Sequence, residues 1–171
     1  MMNFENHEIM LDHVNTRMEK HGDVEVLTFD LKIKFDLPNK SLDRLSPRLR
    51  GSLYDADDTQ DMIDGDNTPH LRHPQLGILR WAGKWSPVLF VFHDGESEGD
   101  DLSFHDAKLD RIAVDPKDGG TCSYTVRIQV HPETSDVGAR ILDLIHAPDT
   151  RGTLEVSDEA LAGSDDDDDD D

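Results

Sequence analysis

Between residues 27 and 37 apolar and polar side chains alternate without interruption. Leu27, Phe29, Leu31, Ile33, Phe35 and Leu37 take every second position, and Thr28, Asp30, Lys32, Lys34 and Asp36 fill the gaps. Successive side chains of a strand point to opposite faces, so this pattern predicts a strand with one buried and one wet face. Pro38-Asn39 ends it. The second half of the chain repeats the signal. Strands are expected at 76–81, 88–93, 102–114 and 121–131, with a short final strand at 152–157 and a weaker edge strand at 7–14. Residues 82–87 read as a hairpin loop, His21-Gly22-Asp23 as a turn, and the run Pro116-Lys117-Asp118-Gly119-Gly120 as the strongest turn signal in the chain. Within 102–114 the alternation changes phase, and an extra unpaired residue is the simplest cause.

Two segments change period. Leu42, Leu45, Leu49 and Leu53 are spaced by three and four, which is a helical stripe. Ser46-Pro47 inside it has the form of an N-cap followed by a first-turn proline, so 41–54 reads as one helix or two short ones. Residues 134–146 form the second helix, with Thr134, Ser135 and Asp136 available to cap it and Val137, Ile141, Leu144 and Ile145 as its stripe. Residues 55–70 and 94–101 are acidic loops, the first with Met62 and Ile63 as anchors. The expected architecture is mainly β, a β-sandwich or open barrel, mostly antiparallel, with two helical insertions. One β-rich domain spans 1–157. Residues 158–171, ending in seven aspartates, repel one another and bury nothing, which predicts a disordered acidic tail.

Charge narrows the function. The 171-residue chain carries a net charge of −21. Residues 1–164 alone hold 17 basic against 31 acidic groups, so the body is acidic as well as the tail. Such a surface repels phosphates at long range and attracts basic partners. Cys122 is the sole cysteine, which excludes an intrachain disulfide and suits a reducing cytoplasm. The first ten residues lack the features of a signal peptide, and no apolar run approaches membrane length, so no membrane role is expected.

Candidate chemistry is sparse. His70 and His73 have a metal-ligand spacing near Asp64 and Asp66, but Pro69 and Pro74 flank them and argue against a helix presenting both rings. His93-Asp94 and His105-Asp106 fall at strand ends and would make an acid–base pair if they met across a sheet. Solvated histidines account for all four. No nucleophile elbow or phosphate loop is present, and Cys122 sits in a strand pattern, as an inert thiol would. Asp55, Asp57, Asp58, Asp61, Asp64 and Asp66 do not follow the calcium-loop order and read as a solvated face. No catalytic residue, cofactor or metal is therefore expected, and the chain is read as a binding protein and not an enzyme. The basic residues group better. Lys32 and Lys34 share the wet face of the first strong strand, and Lys40, Arg44 and Arg48 recur every four residues beside Arg50. Trp85, in the 82–87 loop, adds a surface on which a base can stack, so these seven residues form a candidate nucleic-acid site.

The runs Leu37-Pro38-Asn39-Lys40-Ser41-Leu42-Asp43 and Leu49-Arg50-Gly51-Ser52-Leu53-Tyr54, with Asp118-Gly119-Gly120-Thr121 and Val126-Arg127-Ile128-Gln129-Val130-His131-Pro132, resemble a group of small uncharacterised proteins of temperate phages and prophages. The resemblance covers about residues 5–156 and implies action in a bacterial host cytoplasm, without supplying site residues. Asp165, Asp166, Asp167, Asp168, Asp169, Asp170 and Asp171 resemble, as a tail, the acidic C-termini of single-stranded-DNA-binding proteins, although no terminal aromatic follows them. That likeness implies a tail that recruits partners or competes with DNA for the binding surface. Two functions are expected from these readings. One is a phage-type accessory protein that binds single-stranded nucleic acid. The other is an acidic, DNA-mimicking protein that inhibits or recruits a basic host protein. Either is compatible with a homo-oligomer.

Overall fold

The computed structural model describes residues 2–55, 68–95 and 98–157. Eight strands form one sheet: β1 (Phe4–Glu8), β2 (Met10–His21), β3 (Val24–Pro38), β4 (Leu79–Trp81), β5 (Trp85–His93), β6 (Leu102–Pro116), β7 (Thr121–Val130) and β8 (Arg151–Val156). Their order is β1-β8-β5-β6-β7-β3-β2, with β4 also paired to β6, and every ladder is antiparallel.

The order fixes the shape. β1 and β2 are the two edges of the sheet, yet Ile9 is the only residue between them in the chain. A sheet whose opposite edges are one residue apart must roll up. The Ile9 amide bonds the Thr150 carbonyl at 2.9 Å, and the His146 amide bonds the Leu11 carbonyl at 3.0 Å. Across the opening, the Phe4 and Phe35 rings lie 4.7 Å apart and His7 Nε2 is 2.7 Å from the Asp36 carbonyl. Of the two architectures expected, the single continuous sheet is the open barrel. The predicted edge strand at 7–14 is instead two strands, because the chain passes at Ile9 from one edge to the other.

Alternation places one apolar set inside. Leu31, Ile33, Phe90, Phe92, Leu109, Ile112, Ile128 and Leu154 are all fully buried there. The phase changes in β6 are bulges, one at 105–106 against β5 and one at 111–112 against β7. Each bulge moves the inward residue by three positions instead of two, so Phe104, Ala107, Leu109 and Ile112 all face the core. Arg111, in the second bulge, has φ of 49°.

Helices close the two ends. At the Pro38 end a 3-10 helix (Asn39–Arg44) and α1 (Leu49–Leu53) bury Leu42, Leu53 and Tyr54. Here the two-helix alternative holds. Ser46-Pro47 forms a turn between them, and the cap position of α1 is Arg48, without a side-chain cap, so Ser46 is not the N-cap that the Ser-Pro pair suggests. At the other end lies α2 (Ser135–Asp143), where Thr134 Oγ1 accepts from the Val137 amide as its cap. A methyl group on Gly138 would meet Phe29 Cζ at 3.1 Å, which shows how tightly this helix seats on the barrel.

The expected hairpin at 82–87 does not form. β4 and β5 do not pair with each other. Both pair with β6, at Leu79↔Val114 through Trp81↔Ile112 and then from Trp85↔Leu109 onward. They are one strand interrupted at 82–84, laid end to end along β6. The run Pro116–Thr121 does turn as expected, with Gly119 and Gly120 at φ of 96° and 89°.

Candidate functional site

The outer face of β2, β3, β7 and β6 carries a row of paired charges. Antiparallel partners point to the same side, so the registers Arg17↔Thr28, Asn15↔Asp30, Asp30↔Gln129 and Asp110↔Arg127 assemble one polar surface. Asp30 accepts from Arg17 Nε at 3.0 Å and from Gln129 Nε2 at 2.9 Å. Burial pushes its carboxyl up, but these two bonds outweigh it and hold the group below its ordinary range. Arg127 donates two parallel bonds to Asp110, at 2.6 and 2.5 Å, although Asp110 is only 3% exposed. Among the described residues no buried side-chain nitrogen or oxygen lacks a hydrogen-bond partner.

The basic residues singled out in the sequence do not gather. Lys32 and Lys34 both turn to Asp12, at 3.2 and 3.0 Å, and the Lys34 bond leads in lowering the Asp12 carboxyl. Arg44 donates to the Asn3 carbonyl at 3.2 Å and Arg50 pairs with Asp43 at 3.1 Å. Lys40 is the second residue of the 3-10 helix and Arg48 stands before α1, so the four-residue spacing never becomes one helix face. Trp85 is half-buried within β5 and packs on the core with Trp81. Gly83 sits against both rings; a methyl group there would lie 2.8 Å from Trp81 Nε1 and 2.9 Å from Trp85. The aspartates Asp165 to Asp171 lie outside the described residues, as does the acidic stretch 56–67 with its Met62 and Ile63.

The histidines take separate partners. His70 Nδ1 is 3.1 Å from Asp118, on the surface. His93 does not meet His105. Its Nδ1 lies 2.8 Å from Asp101 and its Nε2 2.7 Å from Thr153 Oγ1. This carboxylate–imidazole–hydroxyl order has the connectivity of a nucleophilic relay. However, Thr153 is 7% exposed and its oxygen also accepts from the Asn6 amide at 3.0 Å. The chain of bonds therefore ties β5 to β8 and β1. Cys122 is buried beside Tyr54, and burial pushes its thiol up, as suits an inert core residue.

Besides grooves of about 840 Å³ along β1 and β8 and about 570 Å³ between β1 and Pro148, two smaller ones border β6. One, of about 450 Å³, runs between the start of β6 and α2. Leu102, Phe104 and Val137 give it an apolar floor, and Asp106 and Glu133 face it without an ion-pair partner among the described residues. Arg140, on its rim, is committed to Asp94 at 2.9 Å and to the Asp100 carbonyl. The second, of about 430 Å³, lies on the outer face between His13, Lys32, Arg111 and Arg127, with Asp30 at its floor. Sequence reasoning did not reach Glu133 or Arg111. The available signal for Arg111 was the phase change in β6, which marks a bulge and hence a side chain aimed off the regular face.

No family model matches the chain, and no curated protein or solved structure is significantly similar to it. Among the described residues no helix is long and apolar enough to cross a membrane.

Proposed function

We propose that the protein is an acidic binding module that engages a basic segment of another protein, with the groove between β6 and α2 as its docking surface. The observation that carries this reading is a contrast between paired cations and unpaired carboxylates. Lys32, Lys34 and Arg50 each face a carboxylate of the chain itself, while Asp106 and Glu133 face a groove with no cation of their own. An apolar floor under free carboxylates suits the aliphatic stem and charged head of a lysine or arginine. The body's surplus of acid would speed the encounter with such a partner.

A second reading rests on Arg111. Its guanidinium has no partner among the described residues, it stands in a left-handed bulge, and it edges the outer-face groove beside His13. That arrangement suits a phosphate, and it keeps single-stranded nucleic acid as the alternative ligand.

The test compares two labelled probes, an arginine-rich peptide and a single-stranded oligonucleotide, by fluorescence anisotropy at low and moderate salt. The peptide is expected to bind the full chain, and Asp106→Asn with Glu133→Gln to weaken it at least tenfold. Neutralising Glu8 and Glu155, which lie elsewhere, should cost less than threefold. Equal loss from both pairs of substitutions would reduce peptide binding to bulk charge and overturn the groove. Oligonucleotide binding that Arg111→Glu abolishes would put the second reading first.

A further inference from the structure

The tip of the β2–β3 hairpin brings together three side chains from distant parts of the chain. Glu19 and His21 are two residues apart in β2 and therefore share a face. His131 follows the last residue of β7. One ligating atom from each of Glu19, His21 and His131 lies within 4.8 Å of the other two. His21 Nε2 stands 3.4 Å from Glu19 Oε2, and the two imidazole rings meet edge to face with centroids 5.7 Å apart. Two ligands held about 2.1 Å from a tetrahedral ion are separated by roughly 3.4 Å.

A second set of contacts holds these groups in place. Thr28, fully buried, donates its hydroxyl to Glu19 Oε2 at 3.1 Å and lies 3.1 Å from His131 Nδ1. Arg17 engages the other carboxylate oxygen, Oε1, so that Oε2 is the atom turned toward the rings. His21, with 58% of its side chain exposed, leaves the cluster open to solvent. A carboxylate and a ring, both oriented by a shared buried hydroxyl, follow the way ligands are aimed in metal sites.

We infer that Glu19, His21 and His131 form a binding site for a borderline divalent transition metal, of which zinc is the representative, with the fourth position open to solvent. Nitrogen donors with one carboxylate select such ions over calcium or magnesium, which prefer all-oxygen shells. The ion would clamp the hairpin tip to the end of β7, two elements that the Thr28 bonds already join. The site adjoins the β6–α2 groove through His131, which lines both, yet it does not depend on the groove's function.

The experiment titrates the full chain with cobalt(II), followed by visible d–d absorption, and then displaces the cobalt with zinc. One tight equivalent with the intense bands of a four-coordinate ion is expected. His21→Ala is the decisive variant, because the side chain is exposed and its loss leaves the fold and the groove intact. It should weaken that equivalent at least tenfold, and it should abolish the rise in melting temperature that zinc gives the parent chain. His73→Ala, away from the cluster, should change neither. Weak binding of several equivalents, identical in the parent and in His21→Ala, would mean that the aspartates alone hold the metal and would overturn the site. Peptide binding unchanged in His21→Ala separates this outcome from that of the groove.

Discussion

The two faces of β3 and β7 solve opposite problems with the same backbone. Inside, Leu31, Ile33, Val126 and Ile128 meet other apolar side chains, and each is satisfied by any neighbour that excludes water. Outside, Asp30, Arg127 and Gln129 meet named partners at hydrogen-bond distance. The inner face is tolerant of who its neighbour is and intolerant of lost volume. The outer face is the reverse. Hydrophobic contact is non-directional and scales with area, whereas a half-buried ion pair depends on geometry and on neither partner being left alone.

The largest effect should come from the interior. Phe90→Ala removes a fully buried ring between β6 and β8 and should cost about 3–5 kcal/mol in chemical denaturation. A cost below about 1 kcal/mol would mean that the barrel interior can collapse around the gap. The outer face is tested next by Asp110→Ala, which leaves Arg127 half-buried and uncompensated. A loss of about 3 kcal/mol is expected. The paired replacement Asp110→Leu with Arg127→Met should recover most of it, since two apolar groups need no partner. If the double variant were as unstable as the single one, the pair would be contributing directly and not merely avoiding a penalty.

Acid gives the smallest effect. Asp30, Glu19 and Asp12 all have carboxyls held below their ordinary values of 3.8, 4.5 and 3.8. A lowered folded pKa stabilises the fold above the unfolded value and ceases to do so as pH falls through the folded one. The urea midpoint should therefore be insensitive to these groups near neutrality and should fall as the pH drops below about 4. In Asp30→Asn the acid-dependent part of that fall should shrink. An unchanged pH profile would show that the Arg17–Asp30 pair does not contribute.

The inner face was legible in the sequence because burial imposes a period that needs no knowledge of the partner strand. The alternation at 121–131 and the phase change in 102–114 led directly to β7 and to the bulges of β6. The helix at 134–146 was legible for the same reason, with its Thr134 cap. The outer pairing was not legible. Arg17 and Asp30, or His21 and His131, become neighbours only once strand register is set, and register depends on the whole sheet. The misplaced hairpin at 82–87 has the same origin. Two short strands separated by a glycine-containing loop look alike whether they pair with each other or lie end to end on a third. Lys40, Arg44 and Arg48 were misleading for a local reason, since Pro47 interrupts the helix on which their spacing would have mattered.

The outer-face pairing also bears on how the protein responds to dissolved salt. Its paired cations are anchored at contact distance and partly shielded from water, while the remaining carboxylates repel one another through water. Dissolved ions act unequally on these two kinds of interaction. The Debye length falls from about 10 Å at 0.1 M to about 3 Å at 1 M, which silences long-range repulsion well before it loosens a partly buried pair such as Asp110–Arg127. A chain with a charge of −21 thus gains cohesion as its surroundings approach brine, where a surface of balanced charge would gain nothing.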